Sequence, residues 1–307
     1  MGAPGGSGPR ESNDLIGAGL VGLTSVLFGS VVVLGSVVTR SGLPVPSFLA
    51  FRFALAALLL AGALAVARLP LAAAKGEGWR LGLLGGVAYA AESGFFFAAL
   101  GHGTAAVVTL LFFTYPVIVS VLALATGRGE SGWLIWVALA FAIAGAALVV
   151  LTGHGVQIDR LGVVFALTSA GTFALYLTAA DVVLKQTNSL AGAMWVSGSA
   201  ATGLAAYALV RGAAQWPDGL HQWAPVLGTA VATAGAFFCL FAGLRRLGAV
   251  RTSIVSATEP LAAAVLAAIF INQPIRAGVA AGGALILAGA VTASVGRRRA
   301  PAQPPVP

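Results

Sequence analysis

Charged side chains lie deep inside apolar segments at three positions of this 307-residue chain: Arg52, Glu92 and Glu259. A charge at the centre of an apolar helix costs roughly 2.5–3.5 kcal/mol on insertion scales, so it faces water or a partner. The two carboxylates could bind a cation or exchange a proton, and this interpretation is favoured over a neutral carboxyl hydrogen-bonded between helices. Arg52 lies roughly 9 Å from the end of its segment. An arginine side chain extends to the surface from such a depth, so a structural role is favoured for it.

Two of the apolar segments also have a proline near their centre, Pro116 and Pro260. Proline has no N–H to donate to the carbonyl four residues earlier, that of Phe112 or Ser256, and it bends a helix. A bend at mid-membrane depth supplies free carbonyl groups and a point at which a cavity can open or close. Because two segments share the feature, this interpretation is favoured over a packing kink.

The elements that carry these residues are apolar segments of about 20 residues, the length of a helix that spans a roughly 30 Å hydrocarbon core. Hydrophobic residues make up 59% of the chain and charged residues only 8%, against about 25% charged in soluble domains. A soluble helical protein would need amphipathic outer helices, and the sequence shows none. The chain is therefore predicted to be an all-α integral membrane protein with ten transmembrane helices. They cover residues 15–38, 47–67, 79–100, 104–126, 132–152, 161–180, 190–210, 223–244, 249–271 and 277–295.

The distribution of basic residues predicts the orientation of these helices. With the N-terminus in the cytoplasm, 12 of the 17 lysine and arginine residues fall in cytoplasmic segments and 4 in outer loops. The positive-inside rule then places both termini on the cytoplasmic side of the cell membrane. This topology accounts for the net charge of +8, so no nucleic-acid partner is predicted. The ends, residues 1–14 and 296–307, are rich in glycine, proline and charge and are predicted to be disordered tails.

An internal repeat divides the apolar part of the chain. A shift of 144 residues, without gaps, aligns Leu100 with Leu244 and Pro116 with Pro260 across five predicted helices. Because five is odd, the second half must enter the membrane from the opposite side, which makes the halves inverted repeats. Inverted repeats recur in secondary transporters, whose substrate site lies near the membrane midplane where the halves meet. The two predicted five-helix repeats cover residues 15–152 and 161–295.

The carboxylates do not follow this repeat. Glu92 aligns with Ala236, and Glu259 aligns with Tyr115. Because the repeat packs without a carboxylate at the matching position, a purely architectural role is disfavoured. The candidate substrate or proton site therefore consists of Glu92, Glu259 and Tyr115, with helix breaks at Pro116 and Pro260.

Three segments have a further pattern in common with known proteins. They are FRF (51–53), FFFAALGHGTAAVVTLLFFTYPVIVSVLALATGRGE (95–130) and SATEPLAAAVLAAIFINQPI (256–275). With a proline in the fourth helix of each half and an alanine–glycine pair in the fifth, the chain resembles the drug/metabolite transporter superfamily, and within it the EamA-type family. The resemblance covers about residues 15–295. The family often ends the fourth helix of each half with a glutamate; Glu130 fits that pattern, whereas Gln273 takes the place in the second half.

The resemblance implies a secondary transporter that exports a small organic metabolite, an amino acid or a similar compound, by alternating access. An uptake permease of the same fold is the alternative within this class, and a membrane-embedded enzyme or a channel is the alternative outside it. Zinc-protease, serine-hydrolase and phosphate-loop motifs are absent from the sequence, so an enzyme is disfavoured. A channel would need symmetric rings of ligands, which the unmatched carboxylates do not provide.

The predicted partners are a small-molecule substrate, protons as a candidate coupling ion, and membrane lipid. No cofactor and no metal site are predicted, because the three histidines lie in predicted outer loops without further metal-ligand residues nearby. Glycine pairs at Gly82/Gly86 and Gly278/Gly282 predict close helix packing, either within one chain or in a homodimer.

Overall fold

The structure is a computed structural model that describes residues 9–127, 158–256 and 277–295, with single residues between 133 and 148 and between 259 and 270. Every regular element in the described part of the chain is helical, which confirms the predicted all-α class there. A π-helical segment covers Leu84–Tyr89, and the other elements are α-helices. The helices are α1 (Pro9–Arg40), α2 (Val45–Val66), α3 (Gly78–Leu83), α4 (Ala90–His102), α5 (Ala105–Phe112), α6 (Tyr115–Ala125), α7 (Arg160–Val183), α8 (Ser189–Val210), α9 (Gly219–Val255) and α10 (Ala277–Val295).

Seven helical stretches of the described residues are long and apolar enough to cross a membrane. They are Asn13–Arg40, Val45–Val66, Gly78–His102, Val107–Ala125, Arg160–Val183, Ser189–Val210 and Gly219–Ser253. A shorter apolar helix covers Ala280–Gly289. The predicted helix 132–152 and the predicted tail 296–307 lie largely or wholly outside the described residues, and the predicted helix 249–271 lies partly outside them. The described helices are those of a multi-pass membrane protein.

The structure describes α1 from Pro9 onward, and the prediction that residues 1–14 form a disordered tail stays a prediction. The first described turns of α1 contact α9, where Arg251 pairs with Asp14 at 2.9 Å. The polar turn therefore extends α1 beyond its apolar segment.

The long helices pack as antiparallel pairs. Helix α1 lies along α9, with Val21 against Gly243, while α2 lies along α8 and α4 lies along α7. Helix α1 runs from the end of the bundle that holds Glu77 to the end that holds Gln222, and α7 runs in the opposite direction. These are named the Glu77 end and the Gln222 end.

A buried carboxylate joins two loops at the Glu77 end. Glu77 accepts hydrogen bonds from the backbone N–H groups of Gln186 (3.0 Å) and Thr187 (2.9 Å) and from the Thr187 hydroxyl. Thr187 Oγ1 accepts from the Ala74 N–H at 2.9 Å, and Arg245 Nη1 of α9 donates to the Thr187 carbonyl at 3.0 Å. Burial raises the pKa of Glu77, but the three donors outweigh it, so this pKa lies below its ordinary value. These five residues are named the Glu77 clasp.

Uncharged groups join the corresponding loops at the Gln222 end. Gln222 Nε2 donates to the Ser41 carbonyl at 3.0 Å, and its Oε1 accepts from the Asp218 N–H at 2.8 Å. Ser47 Oγ donates to the Ala213 carbonyl at 2.6 Å. These five residues, named the Gln222 clasp, hold the start of α2 to the chain between α8 and α9.

Aromatic side chains fill the centre of the bundle between the two ends. The Phe112 ring centroid lies 5.3 Å from that of Phe96 and 5.2 Å from that of Phe173, and the Tyr89 centroid lies 4.7 Å from that of Phe237. Tilted and edge-on ring pairs contribute about 0.5–1.5 kcal/mol each beyond the burial of apolar area. The rings therefore fix the positions of α4, α5, α7, α9 and the π-helical segment relative to one another.

The helical stretch that contains Pro116 is interrupted. Helix α5 ends at Phe112, and α6 begins at Tyr115 with Pro116 in its first turn. In the turn between them, the Thr114 N–H and hydroxyl both donate to the Leu111 carbonyl, at 3.2 and 2.9 Å. The interruption lies at the centre of the bundle, next to the aromatic rings.

The π-helical segment Leu84–Tyr89 is in close contact with α8. A Cβ atom at Gly85 would collide with the backbone of α8 at Val196, and one at Gly203 would collide with the Gly86 carbonyl. Glycine thus lets the two backbones approach within one chain. A π-helical turn contains one extra residue and is frequent at functional sites. Here the π-helical segment is followed directly by α4, so its contact with α8 positions the start of α4.

Candidate functional site

A small cavity lies among the aromatic rings at the centre of the bundle. Its volume is about 40 Å³, which is room for a few water molecules. All three charges that lie inside apolar segments, Arg52, Glu92 and Glu259, line this cavity. Most of the remaining wall is aromatic and includes Tyr89, Phe96, Phe97, Phe112 and Phe173.

Glu92 stands in the first turn of α4, directly after the π-helical segment, and is 5% exposed. Its carboxylate accepts hydrogen bonds from the Ser93 hydroxyl at 3.1 Å and from the Ser169 hydroxyl of α7 at 3.2 Å. A carboxylate offers about four acceptor positions, so two hydroxyl donors leave part of its capacity unused. Glu92 can therefore accept a further donor from the cavity.

Glu259 reaches the same cavity from the other half of the chain. Helix α9 is kinked at Gly248, whose φ of 74° lies in the region that favours glycine. Glu259 lies beyond this kink and is buried. The structure thus brings Glu92 and Glu259 together, whereas Pro260 lies outside the described residues.

Tyr115, the third predicted site residue, is buried but does not line the cavity. Its ring centroid lies 4.7 Å from that of Phe173 and 5.1 Å from that of Phe112, and both of these rings line the cavity. The Tyr115 hydroxyl is within hydrogen-bonding reach of Ser256. In this conformation Tyr115 supports the wall from behind.

Arg52 is a cavity residue that the sequence did not identify. Its side chain is only 2% exposed, so the prediction that it extends to the surface is wrong. Arg52 Nε donates to Thr233 Oγ1 of α9 at 2.7 Å, and its guanidinium carbon lies 4.5 Å from the Phe53 ring centroid and 5.5 Å from that of Phe97. Cation–π contacts of this kind stabilise a desolvated guanidinium. The available signal was the phenylalanine on either side of Arg52 in the sequence.

A cation and two carboxylates therefore share one central cavity without direct ion pairing. Among the described residues, the ion pairs within 4.0 Å are His102–Asp159 and Arg251–Asp14, and both lie away from the cavity. Charge interactions are stronger here than in water, because the local dielectric constant is low. The arrangement can bind a ligand with charged groups or hold a proton. Within the described part of the chain, no group of three or more His, Cys, Asp or Glu residues is placed to hold a metal ion.

Comparisons with known proteins extend this description. The model of a family described as the EamA-like transporter family matches residues 15–151 and, a second time, residues 160–295. A solved structure titled "Crystal structure of protein" has a TM-score of 0.68 and 20% sequence identity to this chain, and the match covers 92% of this chain and 98% of the other. At this identity the likeness shows a common fold alone. No curated protein matches the chain.

Proposed function

The chain belongs to the EamA-like transporter family, and on this premise we propose that it is a secondary transporter of a small organic metabolite, an amino acid or a similar compound. The observation that carries the proposal is the central cavity, which combines Arg52, Glu92 and Glu259 with aromatic walls. Charges of both signs suit a polar metabolite, and the rings suit its apolar part. A gradient or an exchanged solute supplies the energy.

Alternating access is proposed because the cavity needs to change size. At about 40 Å³ it has room for a few water molecules, so binding of a larger metabolite requires the surrounding helices to move. Two irregular points lie in the helices: the interruption before Pro116 is beside the cavity, and the kink at Gly248 is at the Glu77 end, next to Arg245 and Lys185. Changes in backbone direction at such points let one part of a helix move relative to the other.

The proposed topology has ten transmembrane helices in two inverted five-helix repeats, with both termini in the cytoplasm. The opposite directions of α1 and α7 support inversion, and the excess of basic residues supports a cytoplasmic location for the Glu77 end. A reporter that fluoresces only in the cytoplasm should be bright at either terminus, and a tag that is active only outside should work in the loop 153–160. A cytoplasmic signal from that loop would contradict the topology.

Export from the cell is the proposed direction, with an uptake permease as the alternative. The test compares metabolites inside and outside cells that overexpress or lack the protein. An exporter raises the external amount of an unchanged compound, and an uptake permease lowers it. An enzyme would change the identity of the compound rather than its location, which would contradict the proposed function.

The two cavity carboxylates have a proposed role in this transport. Glu259 binds and releases a proton during transport or contacts a cationic group of the substrate, and Glu92 shares that role. Their common cavity and their absence from the matching positions of the other half support this proposal.

A further inference from the structure

Among the described residues of the cavity wall, Arg52 carries the positive charge. The role proposed above for the two carboxylates leaves the role of this charge open. Under the shift of 144 residues Arg52 aligns with Val196, so the arginine, like the carboxylates, occurs in one half alone. A guanidinium inside a membrane helix costs several kcal/mol on insertion scales unless it has water or a partner. The fold of the other half shows that the position itself does not require a charge.

The guanidinium is fixed in place by uncharged neighbours. Thr233 accepts from Arg52 Nε at 2.7 Å, and the Tyr89 side chain lies near the guanidinium. Tyr89 and Thr233 occupy matching positions of the two halves, in the π-helical segment and in α9. The Phe53 and Phe97 rings cover the group from two sides. Arg52 is thus oriented without an ion pair to Glu92 or Glu259, and its charge remains available to a ligand.

The chemistry of the three charges narrows the kind of compound that fits. A planar guanidinium binds a carboxylate or another oxyanion through two parallel hydrogen bonds, which few other side chains match. A simple anion would pair with Arg52 but also meet two carboxylates, and a simple amine would pair with a carboxylate but leave Arg52 without an opposite charge. A compound with an oxyanion and an ammonium group places each charge against an opposite one.

We propose that Arg52 binds the anionic group of the transported compound, so that the protein selects zwitterions, such as amino acids, over the corresponding amines. This proposal rests on the transport function proposed above and assigns Arg52 as the residue that determines specificity. Thr233 is then a positioning residue, because it acts on the ligand through Arg52 alone.

The test measures binding to the full-length protein in lipid nanodiscs. Thermal stabilisation is titrated with the proteinogenic L-amino acids and with the amines that result from removing the carboxylate of each. We expect the wild type to bind at least one amino acid more tightly than its amine. In Arg52→Gln, affinity for that amino acid should fall about ten- to hundredfold, the range for losing hydrogen bonds to a charged group. Affinity for the amine should be unchanged or higher.

Three further variants make the result specific. Arg52→Lys keeps the positive charge but loses the planar group that makes two parallel hydrogen bonds. It should therefore retain part of the preference for the amino acid over its amine. Thr233→Val should reduce the preference in the same direction by a smaller factor. Arg211→Gln removes an equal charge from an exposed site at the end of α8 and should change nothing. If Arg52→Gln does not fold, Arg52→Lys and Thr233→Val decide the question.

The proposal would be overturned if the Arg52 variants lost affinity for the amino acid and for its amine equally. It would also be overturned if the wild type bound none of the amino acids tested. Flux through the same protein in proteoliposomes separates this outcome from failure of the transport function. Binding with the expected preference but without flux would contradict transport and leave the assignment of Arg52 intact. Flux of an amine that Arg52→Gln leaves unaltered would contradict the assignment and leave transport intact.

Discussion

Two carboxylates of this protein have similarly low solvent exposure in different surroundings, Glu77 in a loop at one end of the bundle and Glu92 at its centre. Glu77 is 8% exposed and Glu92 is 5% exposed, so solvent exposure alone does not distinguish them. Glu77 accepts three hydrogen bonds from two consecutive residues of one loop, and two of the donors are backbone N–H groups. Glu92 accepts from two serine hydroxyls and lines a cavity that it shares with Arg52 and Glu259.

The difference in hydrogen-bond donors indicates which of the two carboxylates has a structural role. A backbone N–H cannot turn away from its acceptor without unfolding the loop, whereas a hydroxyl rotates and can serve as a donor or an acceptor. Glu77 is therefore held mainly by donors that are fixed in the backbone, and Glu92 keeps acceptor capacity for a partner that binds reversibly. On this comparison, changes at Glu77 should reduce stability, and changes in the cavity should reduce transport.

The largest effect is expected from Glu259→Gln and Glu92→Gln. Each should reduce transport about ten- to hundredfold, because a charged hydrogen-bonding group is lost from the cavity, with little change in thermal stability. If the carboxylate carries protons, the glutamine variant should bind substrate but lose the pH dependence of transport in proteoliposomes. If it contacts a cation, binding itself should weaken. Wild-type rate, affinity and pH profile in both variants would leave only a structural role.

Glu77→Gln should show the opposite pattern. We expect the free energy of unfolding to fall by about 1–3 kcal/mol, because the charge-assisted hydrogen bonds of the clasp are lost. Transport per folded molecule should stay close to that of the wild type. Thr187→Val is the matched variant on the other side of the contact, and the double variant should lose less than the sum of the two. If Glu77→Gln lost transport but kept wild-type stability, the proposed contrast between Glu77 and Glu92 would be wrong.

The contribution of Glu77 should also depend on pH. Its pKa is held below the ordinary value of 4.5, so the carboxylate stabilises the folded protein fully above pH 4.5. That contribution disappears as the pH falls through the lowered pKa, because the protonated carboxyl resembles the amide of the glutamine variant. Thermal unfolding of the wild type and Glu77→Gln should therefore converge in acid. A stability difference that is unchanged in acid would contradict the role given to the charge.

Pro116→Ala tests movement rather than charge. Alanine restores a helical N–H and favours a continuous helix where α5 and α6 are now separate. The variant should therefore transport several-fold more slowly while its amount in the membrane falls less. Pro260→Ala, at the matching position of the other half, should act in the same direction. Wild-type rates in both variants would reduce the two prolines to packing residues.

The smallest effect is expected at the Gln222 clasp. Gln222→Leu removes neutral hydrogen bonds, which contribute about 0.5–1.5 kcal/mol each, so it should destabilise the protein less than Glu77→Gln does. The measurement is thermal unfolding of both variants under the same conditions. An equal or larger loss at Gln222 would show that the charge of Glu77 adds nothing to its clasp.

The sequence predicted the features that depend on composition and depth. Segments of transmembrane length predicted the seven described stretches that are long and apolar enough to cross a membrane, because hydropathy determines which residues a membrane helix can hold. The position of Glu92 and Glu259 within their segments indicated that both lie at the middle of the bundle. Arg52 was misjudged, because distance from a segment end does not show which way a side chain points. The Thr187–Glu77 contact joins residues 110 positions apart, and nothing local to either loop indicated it.

The close contact between the π-helical segment and α8 has a consequence for how sequence variation in this protein is interpreted. Gly85 and Gly203 touch no charge and do not line the cavity, yet any side chain there would overlap the opposite backbone. In a library of random variants both positions should therefore tolerate no substitution, and by frequency alone they would rank with Arg52 and Glu92. An alanine at either position should prevent accumulation of the protein, whereas changes at the charged residues should leave it abundant and inactive. Abundance measured beside activity is thus what separates the two kinds of invariant residue.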